Sequence, residues 1–347
     1  MARRADFEIG TERIAAGTRR TVDLPVSVLS DHTPVTMSAH VVHGRRAGPV
    51  VFVSAGIHGD EIIGIEIVRR LLGHSALRSL RGTLVAVPIV NAFGFLNHSR
   101  YLPDRRDLNR CFPGSRSGSL ASRLAHLFLN EIVVRADLGI DLHSAAVHRS
   151  NLPQIRVSPD QPGTVRLARI FGAPVILLSK LRDGSMRVAA REAGVDVLLY
   201  EAGEALRFDE TAVRAGTVGI LRILHSQGMI PAKGVSQPRR RPLLCRSSHW
   251  VRAAQGGLLR SFRSEGDVVK EGETLAIVSD PFGQTQVPVV AHTGGIIVGR
   301  TVFPSVNEGD ALFHIAGIAS LDRAETTIEA FASQWEEEPL EYGDEII

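Results

Sequence analysis

Apolar runs and helically spaced apolar positions alternate along most of the chain. Residues 49–55 (PVVFVSA) and 83–90 (TLVAVPIV) are near-continuous apolar runs, the pattern of strands buried on both faces. Residues 138–143 (LGIDLH), 174–178 and 195–201 read as further strands. Between them, residues 61–72, 119–135, 165–171, 185–193 and 210–227 carry helical patterns, with a long loop over 91–118. Upstream, residues 35–42 alternate like a strand after a polar N-terminal segment. Strands alternating with helices predict an α/β domain: a mixed, mostly parallel sheet flanked by helices, binding ligands beyond the carboxyl ends of its strands.

The pattern changes at a Gly/Pro/Arg-rich linker, residues 234–242. Beyond it the helical period disappears, and short strands alternate with Gly-rich turns. An internal repeat runs through this part: Gly256-Gly257-Leu258-Leu259 leads to Glu271-Gly272-Glu273-Thr274-Leu275. In the same way Gly294-Gly295-Ile296-Ile297 leads to Glu308-Gly309-Asp310-Ala311-Leu312. Two such halves predict a small all-β barrel-sandwich. The expected organisation is thus an α/β domain at 1–235, a β barrel-sandwich at 243–317 and a solvated acidic tail at 318–347.

Composition narrows the class. A chain of 347 residues has room for two domains, and 44% hydrophobic with 22% charged residues excludes a disordered or fibrous chain. No apolar run reaches the ~18 residues of a membrane span. The N-terminal residues lack the apolar stretch of a signal peptide, and two cysteines cannot build a disulfide framework. The expectation is a cytoplasmic protein with no membrane partner. Net charge is only +3, and the basic residues, all arginine except Lys180, Lys233 and Lys270, are scattered without interleaved aromatics. That arrangement argues against a nucleic-acid partner.

The candidate chemistry gathers at strand ends. Gly56-Ile57-His58-Gly59-Asp60-Glu61 follows a buried strand, and three-residue spacing lets His58 and Glu61 converge on one ion, a donor pair suited to Zn²⁺. The alternative is a loop histidine and a first-turn carboxylate favoured by the helix dipole. Asp141-Leu142-His143 closes another strand; His143 would be a third ligand, and period-two alternation puts Asp141 on the same side to support it. Arg100, and Asn109 with Arg110 in Asp107-Leu108-Asn109-Arg110, offer donors for a carbonyl or a carboxylate. Glu201 and Glu204 follow the strand at 195–199, and either could be a general base. An open three-ligand zinc site beside a glutamate is the equipment for metal-assisted hydrolysis.

In order and spacing, His58-Gly59-Asp60-Glu61, residues 107–114 (DLNRCFPG), Asp141-Leu142-His143 and Glu201-Ala202-Gly203-Glu204 resemble the succinylglutamate desuccinylase/aspartoacylase family, within the zinc carboxypeptidase-like superfamily. The resemblance covers roughly residues 35–230. It implies a zinc-carboxypeptidase-like catalytic domain holding one Zn²⁺ per chain on His58, Glu61 and His143. It also implies Glu201 as general base, Arg100 as the oxyanion-stabilising arginine, and Asn109 and Arg110 as holders of a substrate carboxylate. The C-terminal repeat is similar to the lipoyl-like β domain of such deacylases. Its central hairpin, residues 279–286, has no lysine, so a carrier role is excluded and a place beside the active-site mouth is expected.

The leading expectation is therefore a zinc-dependent deacylase of N-acyl amino acids or related small carboxylates. A metallocarboxypeptidase acting on short peptides, and a non-catalytic binding protein on the same fold, are the alternatives. Arg149, Asn151, Gln154, Arg156 and Arg187, expected in loops or helix starts near the pocket, are candidates for reading the acyl group. A homo-oligomer, most simply a dimer, is the base-rate expectation.

Overall fold

The computed structural model describes residues 4–337. Its N-terminal part is β: a hairpin of β1 (Phe7–Ile9) and β2 (Glu12–Ile14), then β3 (Thr18–Val28), β4 (Pro34–His43) and β5 (Arg46–Ala55). There follow α1 (Ile63–Gly73), β6 (Arg81–Val87), α2 (Ala92–Leu96), α3 (Leu120–Glu131), β7 (Leu138–His143) and β8 (Arg149–Val157). Next come α4 (Pro162–Phe171), β9 (Val175–Leu178), α5 (Met186–Glu192), β10 (Asp196–Gly203) and α6 (Glu210–Ser226). The C-terminal part contains β11 (Leu243–Cys245), β12 (Ser248–Arg252), β13 (Gly257–Ser261), β14 (Val268–Val269), β15 (Thr274–Ser279), β16 (Gln286–Val290), β17 (Gly295–Thr301), β18 (Ser305–Val306), β19 (Ala311–Ala316) and α7 (Leu321–Glu337).

One large sheet runs β12-β19-β17-β8-β10-β7-β5-β6-β4-β3, with β9 and β11 continuing from β8. The expectation of a mostly parallel sheet holds for the centre and for the branch β8-β9-β11. Strands β10, β7, β5 and β6 are parallel, because helices carry the chain between them. The flanks β6-β4-β3 and β10-β8-β17-β19 are antiparallel. Helices cover both faces. Ile63, Ile67 and Leu71 of α1, Phe171 of α4 and Ile220 of α6 share one core, while Leu124 and Phe128 of α3 and Met186 of α5 share the other. Each of these helices meets the sheet through the apolar stripe its spacing predicts.

Three sequence expectations change. The polar N-terminal segment contains β3, an edge strand that buries Val22, Leu24 and Val26 and leaves Asp23 and Pro25 between them in solvent. The region of Arg149, Asn151, Gln154 and Arg156 is a nine-residue strand inside the sheet rather than a loop. Its polar side chains and Pro153 disguise it, because here the sheet face is lined with chemistry rather than with core. The segment expected to be a solvated acidic tail is largely α7, whose Phe331 and Trp335 pack against Ala215 of α6. Glu336 and Glu337 end this helix; Glu338, Glu341, Asp344 and Glu345 lie outside the described residues.

Beyond the linker, the four-stranded sheet β16-β15-β13-β18 faces β12, β14, β17 and β19 across a core that includes Leu275, Val278, Ile297, Leu312 and Phe313. The expected division between 1–235 and 243–317 is crossed by backbone hydrogen bonds. Strand β11 pairs with β9, and β17 pairs with β8, so the large sheet is continuous across it.

Candidate active site

Parallel pairing of β5 with β7 and of β7 with β10 brings three strand ends level, with Ala55 opposite Leu142 and Glu201 opposite His143. After β5 the chain turns through residues 56–62 before α1 begins. His58 and Glu61 sit on this turn, 3% and 2% exposed, and His143 closes β7 at 3%. Helix α1 starts at Ile63, two residues later than the spacing suggested, and no side chain caps it. The Glu61 carboxylate turns to the imidazoles instead, which removes the alternative of a dipole-stabilising first-turn acid.

The three side chains converge, with one potential ligand atom from each lying within 4.8 Å of the others. Nδ1 of His58 is 2.6 Å from one Glu61 oxygen and Nδ1 of His143 is 2.7 Å from the other. The outward Nε2 atoms also have carboxylate partners: Asp107 for His58 at 3.1 Å and Asp141 for His143 at 2.8 Å. Ser54 Oγ donates to the second oxygen of Asp141 at 2.7 Å. Each imidazole is thus oriented from behind and presents Nδ1 inward, the carboxylate–histidine arrangement that aligns metal ligands.

The electrostatics suit a cation. Burial by itself raises the Glu61 carboxyl, but the adjoining His58 and His143 override it and hold the group well below the usual carboxylate range. Burial opposes protonation of His143, yet Asp141 and Glu61 push its affinity for a proton well above the ordinary histidine value. His58 is raised in the same way by Glu61 and Asp107. Acids thus surround the two imidazoles. Two imidazoles and one carboxylate, buried and convergent, fit Zn²⁺, which would replace the protons that the pairs now share.

Arg100 lies against this group. Its Nη1 donates to Glu61 at 3.1 Å, and its Nη2 donates to Asp107 at 3.0 Å. Asp107 therefore ties together His58, Arg100 and the backbone N–H of Asn109. Sequence reasoning gave Asp107 no role, although its place in the Asp107–Arg110 segment was the available signal. Asn109 accepts from the Met186 backbone N–H at 2.9 Å, fixing the start of α5, and Arg110 is exposed with Nη1 on the Asn109 carbonyl.

Glu201 lies within β10, one strand over from His143. Asn151 Nδ2 donates to its Oε2 at 2.9 Å, and Arg156 Nη1 lies 3.3 Å from its Oε1. Glu204 has left the strand and pairs with exposed Arg207, so of the two glutamates Glu201 is the one that stays level with His143 in the sheet. Arg187 stands beside Arg156; burial, with the Arg156 charge next, lowers it to about 10. Of the other candidate acyl readers, Arg149 lies over the Trp250 ring, and Gln154 is buried with its amide nitrogen on the Val298 carbonyl.

The succinylglutamate desuccinylase/aspartoacylase catalytic-domain model matches residues 47–226, over half of the chain. The chain belongs to this family. It is 26% identical over 309 residues to the N-alpha-acetyl-L-2,4-diaminobutyric acid deacetylase of Halomonas elongata, an alignment covering 85% of this chain and 90% of the relative. It is 29% identical over 186 residues to the succinylglutamate desuccinylase of Pseudomonas aeruginosa, covering 49% of this chain and 55% of that one. A solved structure, the succinylglutamate desuccinylase/aspartoacylase from Rhodobacter sphaeroides, superposes with a TM-score of 0.77 at 25% identity, covering 86% of this chain and 96% of that one. These family relatives are named as deacylases, and the His58–Glu61–His143 group falls inside the matched region.

Proposed function

We propose that this protein is a zinc-dependent amidohydrolase that cleaves the amide bond of an N-acyl amino acid or a related small carboxylate. One observation carries the reading: His58, Glu61 and His143 converge in a buried cluster, with Glu201 on the neighbouring strand. Zinc held by those three residues would polarise the scissile carbonyl and lower the pKa of a water molecule. Glu201 takes the proton from the attacking water and delivers it to the departing amine, so that water plus amide gives carboxylate plus amine. Arg100 places its guanidinium where negative charge develops on the carbonyl oxygen. Asn109 and Arg110 hold the substrate carboxylate, and the C-terminal β unit narrows the approach. The partner is a small molecule; neither nucleic acid nor membrane is required.

The relative that spans most of the chain is named for an N-acetyl amino acid, so acetylated amino acids head the substrate panel. The test joins elemental analysis of wild type and His58→Ala to hydrolysis of N-acetyl-L-2,4-diaminobutyrate, N-succinyl-L-glutamate and a dipeptide. About one zinc per chain, lost in the variant, with release of a free amine from an N-acyl amino acid, supports the proposal. Zinc-free protein that refuses added metal overturns it, and exclusive cleavage of the dipeptide replaces it with a carboxypeptidase.

A further inference from the structure

We infer that the C-terminal β unit positions the general base through Gly299 and Asn151, so that a residue nearly one hundred positions from Glu201 governs turnover. The inference rests on the reading of Glu201 as the base. Glu201 is held from one side by Asn151 Nδ2 and from the other by Arg156. Asn151 is itself 8% exposed and stands on β8, where β17 of the C-terminal unit pairs antiparallel and sets Gly299 directly opposite it. A Cβ placed on Gly299 would fall inside contact distance of Asn151 Oδ1, with the Ser150 carbonyl close behind.

The amide of Asn151 therefore has only the space that a glycine leaves. Its Oδ1 rests over the bare Cα of Gly299, and this aims Nδ2 at Glu201. An added methyl at position 299 must push the short, buried amide, and the group that moves is the one holding the base. A neighbouring contact locks the two units in this register: Glu265 accepts from Ser150 Oγ at 2.5 Å and from Arg300 Nε at 2.7 Å, joining β8 to the residue after Gly299. Asn151 is a positioning residue and Gly299 its support. A carboxylate held by two donors in one orientation needs no reorganisation before it accepts a proton.

The experiment compares Asn151→Ala, Asn151→Asp, Gly299→Ala and the double variant Gly299→Ala/Asn151→Ala, with Glu201→Gln as reference, in zinc-loaded full-length protein. On whichever N-acyl amino acid the wild type hydrolyses, Asn151→Ala should lose about tenfold or more in kcat with KM within about twofold. Asn151→Asp, equal in size but opposing carboxylate to carboxylate, should lose more. Gly299→Ala should lose kcat as well, and the double variant should be no slower than Asn151→Ala, because both act along one path. Unchanged kcat in Asn151→Ala, or additive losses in the double variant, overturns the inference. Wild-type turnover in Glu201→Gln removes the base assignment and the inference with it. Should the wild type hydrolyse no amide, melting temperatures decide: Gly299→Ala should lower Tm more with Asn151 present than in Asn151→Ala, where the Ser150 carbonyl remains close, and an equal loss in both overturns the contact.

Discussion

At the scale of single residues, the site is defined by which acid faces which base. Asp141 illustrates the point: buried, it accepts from Ser54 and holds His143 Nε2 at 2.8 Å, so the other ring nitrogen points at Glu61. Asp141→Asn should keep the fold and weaken zinc binding about 10–100-fold, measured by competition with a chelating dye. Glu201→Gln should leave zinc in place while reducing kcat by roughly 10²–10⁴-fold, the range for a lost general base. Arg110 is exposed, with Nη1 on the neighbouring Asn109 carbonyl; if it holds the substrate carboxylate as proposed, Arg110→Ala should raise KM while leaving kcat near wild type in steady-state assays. The pairing of His58 with Glu61 was legible in the sequence because a His and a Glu three apart after a buried strand carry their own geometry. Asp107 was not, because its partners His58 and Arg100 lie far enough along the chain that only folding brings all three together.

At the scale of elements, periodicity worked where one face meets a core. Helices α3 and α6 and strand β7 lie where the apolar spacing places them. The repeat beyond the linker also has a physical counterpart. Gly272 and Gly309 both adopt a left-handed backbone, at φ 79° and 83°, and the acid after each accepts a backbone N–H three residues back. Glu273 takes that of Lys270 and Asp310 that of Asn307, so the same turn delivers the chain into β15 and β19. Strand β8 was hidden because Asn151, Gln154 and Arg156 break the apolar pattern, Asn151 and Arg156 reaching Glu201 and Gln154 the Val298 carbonyl. Helix α7 was hidden by its acidic surface, although Trp335 is 5% exposed and lies under the Arg214 guanidinium. Trp335→Ala should destabilise the protein by about 3 kcal/mol in denaturant unfolding, the cost of removing a large buried aromatic. Unchanged stability would mean that α7 does not hold on to α6.

At the scale of the whole molecule, the continuous sheet joins the C-terminal unit to the strands that carry His143 and Glu201. His314 of β19 stacks on Trp250 of β12 with ring centroids 4.5 Å apart, and burial, followed by the charges of Arg156 and His249, lowers its pKa to about 3. The unfolded chain binds a proton at this residue near pH 6.5, whereas the folded protein resists until about pH 3. Between those values the unfolded state holds more protons, so stability falls as pH drops, by at most about 1.4 kcal/mol per pH unit from this group. His314→Phe, which keeps a ring on Trp250, should flatten that part of the acid-unfolding curve; an unchanged slope would exclude His314 as a source. No helix among the described residues is long and apolar enough to cross a membrane. The sequence by itself determined the alternation of strands and helices, the change at the linker, the internal repeat and the His58–Glu61 and Asp141–His143 pairs, because each is set by spacing along a single local element. Only the tertiary structure decided that the sheet is antiparallel at its flanks and continuous into the C-terminal unit. It alone also decided that Asp107 joins His58 to Arg100 and that Asn151 and Arg156 hold Glu201. Those outcomes depend on which strands become neighbours, and backbone pairing between distant segments leaves no periodicity in either one.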